Sequence, residues 1–142
     1  MQIKAIRKVK FDAGHRIVGH EGKCQNNHGH EYWAHFYAES NSSLDQLGRV
    51  IDFSIIKETI GQWIDDNWDH NMIIWEEDPN LPLLNQCIGT KKPFVLPFNP
   101  TAENLAIYLL KTICPKLLKS NCIKITKIKL YETSNCYVEV SL

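Results

Sequence analysis

A chain of 142 residues with 44% hydrophobic and 23% charged residues has the make-up of one ordinary globular domain, read here as residues 1–142 without a linker or internal repeat. Lysine plus arginine and aspartate plus glutamate both number 16, so a whole-domain electrostatic claim on nucleic acid or an anionic bilayer has no support. No stretch approaches the roughly 18–20 uninterrupted apolar residues of a membrane span, and no secretory signal is expected from the alternating Met1 to Lys10. Five scattered cysteines, an odd number, argue against a disulfide framework and for a reducing, cytoplasmic setting.

From Met1 to His15, the residues Ile3, Ala5, Val9, Phe11, Ala13 and His15 share one parity, the period of a strand with one buried face. Arg16 to Asn27 reads as a loop. A second strand follows from His28 to Glu39, with His28, His30, Tyr32, Ala34, Phe36 and Ala38 on one face and Glu31, Trp33, His35 and Tyr37 on the other. After a turn region from Asn41 to Gly48, Asp52 is positioned to cap a helix whose apolar stripe is Phe53, Ile56, Ile60, Trp63 and Ile64. The proline-rich stretch from Glu76 to Pro100 is expected to be an extended loop. Thr101 caps a second helix with Leu105, Leu109 and Ile113 inward, expected to stop at Cys114-Pro115. Ile123 to Tyr131 and Cys136 to Leu142 complete a hairpin around Glu132-Thr133-Ser134-Asn135. The order predicts an α+β domain: a four-stranded antiparallel sheet with two helices on one face.

The chemistry concentrates in Cys24-Gln25-Asn26-Asn27-His28-Gly29-His30. Two histidines two apart on a strand project from one face with Cβ atoms roughly 6–7 Å apart, so both imidazoles can reach one ion, and Gly29 between them would leave room beside it. His15, ending a strand of matching parity, is the third ligand chosen. Three imidazoles leave the fourth zinc position open, as in catalytic zinc sites; Cys24 as a fourth ligand would instead close the site and make it structural. Outside the ligand set, Cys24 is a thiol whose neighbours suit it to act as base or nucleophile, or it is a plain loop residue. Asp69-His70 is either a carboxylate-oriented imidazole for proton transfer or a helix cap. Glu132 reads locally as a turn acid, and Glu103 as a partner of the helix dipole. His35 lies on the opposite parity, His20 is expected to be solvated, and Cys87, Cys114, Cys122 and Cys136 are read as packing residues.

Taken together in order, Phe11-Asp12-Ala13-Gly14-His15-Arg16, Cys24 separated by three residues from His28-Gly29-His30, Gly48-Arg49-Val50-Ile51-Asp52-Phe53, Asp69-His70, Asn99-Pro100-Thr101-Ala102-Glu103-Asn104 and Tyr131-Glu132-Thr133 resemble the 6-pyruvoyl-tetrahydropterin synthase superfamily. Within it, the short Cys24–His28 spacing is similar to the bacterial 6-carboxy-5,6,7,8-tetrahydropterin synthases of the queuosine pathway. The resemblance implies the tunnelling fold, Zn2+ on His15, His28 and His30, Cys24 with Asp69 and His70 in proton transfer, and Glu132 as the anchor of the pterin ring. It implies a small-molecule substrate, 7,8-dihydroneopterin triphosphate, converted to 6-carboxytetrahydropterin with loss of acetaldehyde and triphosphate. It also implies a homo-hexamer built as a dimer of trimers, each trimer closing a barrel from four strands per chain, with Glu132 and the metal cluster on different chains. Arg16, Lys23 and Lys91 are candidates for the triphosphate, and residues 71–99 form a longer segment than compact members carry.

Two alternatives stay open at this stage. One keeps the fold, zinc and pterin but eliminates triphosphate to give 6-pyruvoyltetrahydropterin. The other is a non-catalytic pterin-binding module whose zinc is structural and includes Cys24.

Overall fold

The computed structural model describes residues 1–87 and 89–142. Its centre is a sheet of six strands in the order β4-β3-β1-β2-β5-β6. β1 (Ala5–His15) and β2 (His28–Ser40) form a long antiparallel ribbon in which His15 faces His28 and Ala13 faces His30. β5 (Ile123–Tyr131) adds to β2 and β6 (Tyr137–Ser141) to β5, both antiparallel. On the other edge β3 (Asn71–Trp75) and β4 (Phe94–Leu96) join in parallel.

The four predicted strands are therefore present, but the sheet is mixed and two strands larger than expected. The missed strands have a common reason. β3 carries Ile73 and Ile74, both fully buried, so it has no alternation to read. β4 is three residues between Pro93 and Pro97, and proline is tolerated beside a short edge strand. The stretch expected to be an extended loop also holds a helical turn, α2 (Leu81–Leu84), which follows the long helix α1 (residues 53–67) in the chain.

α1 runs over residues 53–67 with a π turn at Lys57–Gly61. Asp52 caps it by accepting from the Ser54 N–H. Ile56, Ile60 and Ile64 are buried against the sheet, whereas Phe53, expected on that stripe, is half exposed. α3 covers residues 102–117, capped by Thr101 through the Asn104 N–H, with Leu105, Leu109 and Ile113 inward. It does not stop at Cys114-Pro115. The π turn Leu109–Ile113 widens the helix just ahead of Pro115, which accommodates a ring without an N–H, and the helix continues to Leu117.

Both long helices lie on the face carrying Phe11, Tyr32, Ala34, Phe36 and Ala38, and all five are fully buried. Among the described residues, no helix is long and apolar enough to cross a membrane.

Candidate active site

The same parity that buries Phe11 and Tyr32 carries His15, His28 and His30 to one end of the ribbon, where each offers a ring nitrogen within 4.8 Å of the others. Backbone carbonyls orient two of the rings. His15 Nδ1 lies 2.7 Å from the Pro100 carbonyl and His28 Nδ1 lies 2.7 Å from that of Asn26. A carbonyl only accepts, so both Nδ1 atoms carry the proton and both Nε2 atoms present lone pairs. Those Nε2 atoms are 3.1 Å apart. Two lone pairs at that separation repel unless a cation lies between them, and tetrahedral ligands at about 2.0–2.1 Å from zinc would stand about 3.3–3.4 Å apart. The donor set therefore fits a metal such as zinc, with second-layer carbonyls fixing the tautomers. Burial pushes His15 down to about 4, opposed by the Pro100 carbonyl and assisted by His28 and His30. Burial also lowers His30. Both rings are thereby kept in the neutral form that ligates.

Gly29 does not make room for the ion. It points to the opposite face of β2, and a Cβ there would come 3.0 Å from the Ala13 carbonyl, so glycine lets β1 and β2 close up.

Glu132, just beyond β5, brings Oε1 to 3.9 Å from His15 Nε2, so it shares a chain with the histidines rather than coming from another. Cys24, Glu132 and His15 line one cavity of about 320 Å³, together with Glu103 and Thr101 at the start of α3. The buried Tyr32 lies beside the histidines, with its hydroxyl 3.3 Å from His15 Nδ1; burial, then Glu132 and Cys24, keep the phenol protonated. The loop bearing Cys24 is fastened by Asn99, whose amide accepts from the Val18 N–H at 2.9 Å and donates to the Val18 carbonyl at 3.0 Å. The Asn-Pro-Thr run thus ties the loop, orients His15 and caps α3 within three consecutive residues.

Sequence reasoning missed several groups here. His20 is half-buried and lines the cavity, its Nδ1 accepting from the Gly22 N–H at 2.8 Å. Cys136 and Tyr137 line it from the hairpin. Cys136, Cys87 and Cys122 are exposed rather than packed, whereas Cys114 is buried, which pushes its thiol up to about 12. Only the 132–136 turn register could have signalled Cys136, since the turn folds it back on Glu132.

Asp69 and His70 are elsewhere. The Asp69 carboxylate accepts from the Asp12 N–H at 2.8 Å and holds His70 Nδ1 at 2.7 Å, while the His70 N–H donates to the Asp12 carbonyl. His70 adopts a left-handed φ of 53°, a sparsely populated conformation for a residue with a side chain, and its ring is largely exposed. Burial would raise the Asp69 carboxyl, but the Asp12 N–H, His70 and Lys91 hold it below its ordinary value. His70 and Asp12 line a second cavity of about 830 Å³, distinct from the one with Cys24; His30 borders it. The three proposed triphosphate cations differ as well. Arg16 is taken up by Asp78, and Lys91 Nζ donates to the Asp65 and Asp69 carbonyls at 2.5 and 2.7 Å, leaving Lys23 on an exposed 3-10 turn.

Residues 4–142 match the model of the family described as 6-pyruvoyl tetrahydropterin synthase. The chain belongs to that family. Among tetrahydropterin synthase relatives, it is 45% identical over 139 residues to the 6-carboxy-5,6,7,8-tetrahydropterin synthase of Rickettsia felis, covering 97% of this chain and 99% of that one. The protein of the same name in Haemophilus influenzae is 33% identical, with 96% of each chain covered. The tetrahydropterin synthase fold extends to solved structures. An uncharacterized protein of Wolinella succinogenes superposes with a TM-score of 0.84 at 21% identity, covering 99% of this chain and 98% of the other. The 6-pyruvoyl tetrahydropterin synthase of Plasmodium vivax does so with 0.71 at 18%, covering 99% and 97%.

Proposed function

We propose that this chain is a zinc-dependent 6-carboxy-5,6,7,8-tetrahydropterin synthase, converting 7,8-dihydroneopterin triphosphate to 6-carboxytetrahydropterin with release of acetaldehyde and triphosphate. The observation that carries the reading is the convergence of two carbonyl-anchored imidazoles and a third on one point, with one of them, His15, lining a cavity together with a thiol and a carboxylate. The printed names of the relatives from Rickettsia felis and Haemophilus influenzae support the carboxy product. The queuosine pathway is the proposed setting, in the cytoplasm.

His15, His28 and His30 would hold the zinc, which when bound supplies a Lewis acid for the oxygens of the substrate's side chain. Glu132 accepts paired hydrogen bonds from the ring N–H and exocyclic amine of the pterin, a charge-assisted contact. Cys24 takes a proton from the side-chain carbons. The Asp69–His70 pair is the second proton-transfer group, its imidazole oriented by the carboxylate. Because that pair opens into a different cavity of the same chain, a neighbouring copy would bring it to the thiol, as a hexamer arranged as a dimer of trimers provides. The six-stranded sheet of each chain leaves β4 and β6 as its edges, where a neighbouring copy would join.

Incubating the purified protein with dihydroneopterin triphosphate should release acetaldehyde in step with 6-carboxytetrahydropterin. A pyruvoyl product without acetaldehyde would move the assignment to 6-pyruvoyltetrahydropterin synthase, the activity named for the Plasmodium vivax structure. Pterin binding without either product would leave a binding module.

A further inference from the structure

The segment between Asp69-His70 and Asn99 contributes one buried carboxylate that the catalytic reading leaves unused. Asp78 follows β3, its side chain shut off from solvent, and it grips Arg16, the residue after His15. The pair is a two-pronged fork: Arg16 Nε to Oδ2 at 2.7 Å and Nη2 to Oδ1 at 2.6 Å. The Asn80 N–H adds a third bond to Oδ1 at 2.8 Å. Asp78 is itself pinned through its backbone, donating to the Trp75 carbonyl and accepting from the Leu81 N–H.

With two of its nitrogens committed, the guanidinium presents Nη1 to the carbonyl of Gln25 at 3.2 Å. Gln25 lies directly after Cys24. Around it, each carbonyl of four consecutive residues is occupied: Lys23 by the Asn26 N–H, Cys24 by the Ile17 N–H, Gln25 by Arg16 and Asn26 by His28. Of these, the Gln25 contact is made by a side chain from the far end of the loop, and it connects the residue next to the thiol to a rigid, buried acid.

We infer that Arg16 and Asp78 are a positioning pair for Cys24, setting the backbone that carries the thiol toward the histidine cluster. This assigns the 71–99 segment a role in the site, and it rests on the reading of Cys24 as the proton-transfer thiol. A lysine at 16 would keep a cation against Asp78, so the buried charge stays paired. It is a point donor on a flexible stem and does not reproduce the fork together with the Gln25 contact.

The test is Arg16→Lys in the full chain. Metal content, thermal midpoint, kcat and KM for dihydroneopterin triphosphate are measured, with the rates of iodoacetamide labelling at Cys24 and Cys122 followed by peptide mass spectrometry. The inference predicts retained metal, a near-unchanged KM and a kcat lower by about ten- to a hundredfold, the cost of a slightly misplaced reacting group. The Cys24 labelling rate changes several-fold while that of Cys122, remote in the fold, does not. A wild-type kcat with wild-type labelling overturns it, as does a kcat that falls only in proportion to lost metal or lost folded protein. The labelling arm stands apart from the activity. If the wild-type protein turns over no pterin, a changed Cys24 rate in the variant still supports the positioning pair, and an unchanged rate removes it.

Discussion

Two regions of this molecule carry acid–base groups, and they are built in different ways. In the β1–β2 ribbon, three imidazoles meet because alternate residues of paired strands share a face, and His15 stands opposite His28 in the ladder. In the turn after α1, Asp69 and His70 owe their geometry to a left-handed residue and to two backbone bonds with Asp12, 57 positions away. The first arrangement is a consequence of local periodicity. The second exists only once β1 and the end of α1 have come together, and it opens onto a different cavity.

The largest effects should come from joining or severing these regions. Cys24→Ala should lower turnover by about 10²–10⁴-fold while metal stays bound, the scale of a lost general acid or base. His70→Ala should do the same from the other region. If the two regions meet only between copies, mixing and refolding the two inactive variants should restore part of the turnover, because some sites then pair an intact thiol with an intact imidazole. No recovery in mixtures shown by mass spectrometry to contain both chains would break that picture.

Within the ribbon's own cavity, Glu132→Gln turns an acceptor oxygen into a donor, and calorimetry should find pterin affinity weakened by about 1.5–3 kcal/mol. Wild-type affinity would remove Glu132 from the site. A smaller effect tests the support beneath the histidines. Asn99→Ala deletes both bonds to Val18 and loosens the turn that presents the Pro100 carbonyl to His15. Competition with a chelator should then show zinc affinity lower by about tenfold or somewhat more, as for other outer-layer changes. Thr101→Ala, which strips the cap from α3, should cost about 1 kcal/mol in a urea melt, with little change in metal binding.

The contrast also explains what the sequence could disclose. The ribbon, the two caps at Asp52 and Thr101 and the closing hairpin follow rules of period and local chemistry, and they appear where those rules place them. The converging histidines were readable for the same reason. β3 was not, because Ile73 and Ile74 are buried on both faces and leave no alternation, and β4 is too short to have a period. Proline at 115 misled because a π turn absorbs it. His20 could be named but not placed, since a backbone N–H two residues on decides its orientation. The Arg16–Asp78 fork spans 62 positions, and nothing local to either residue announces the other.

The central claim is that three ring nitrogens, without sulfur, hold the ion and leave a position for substrate. X-ray absorption at the zinc edge of the loaded protein addresses it directly. The account predicts nitrogen or oxygen neighbours alone, at about 2.0–2.1 Å; a sulfur neighbour at about 2.3 Å would put Cys24 on the metal and contradict it.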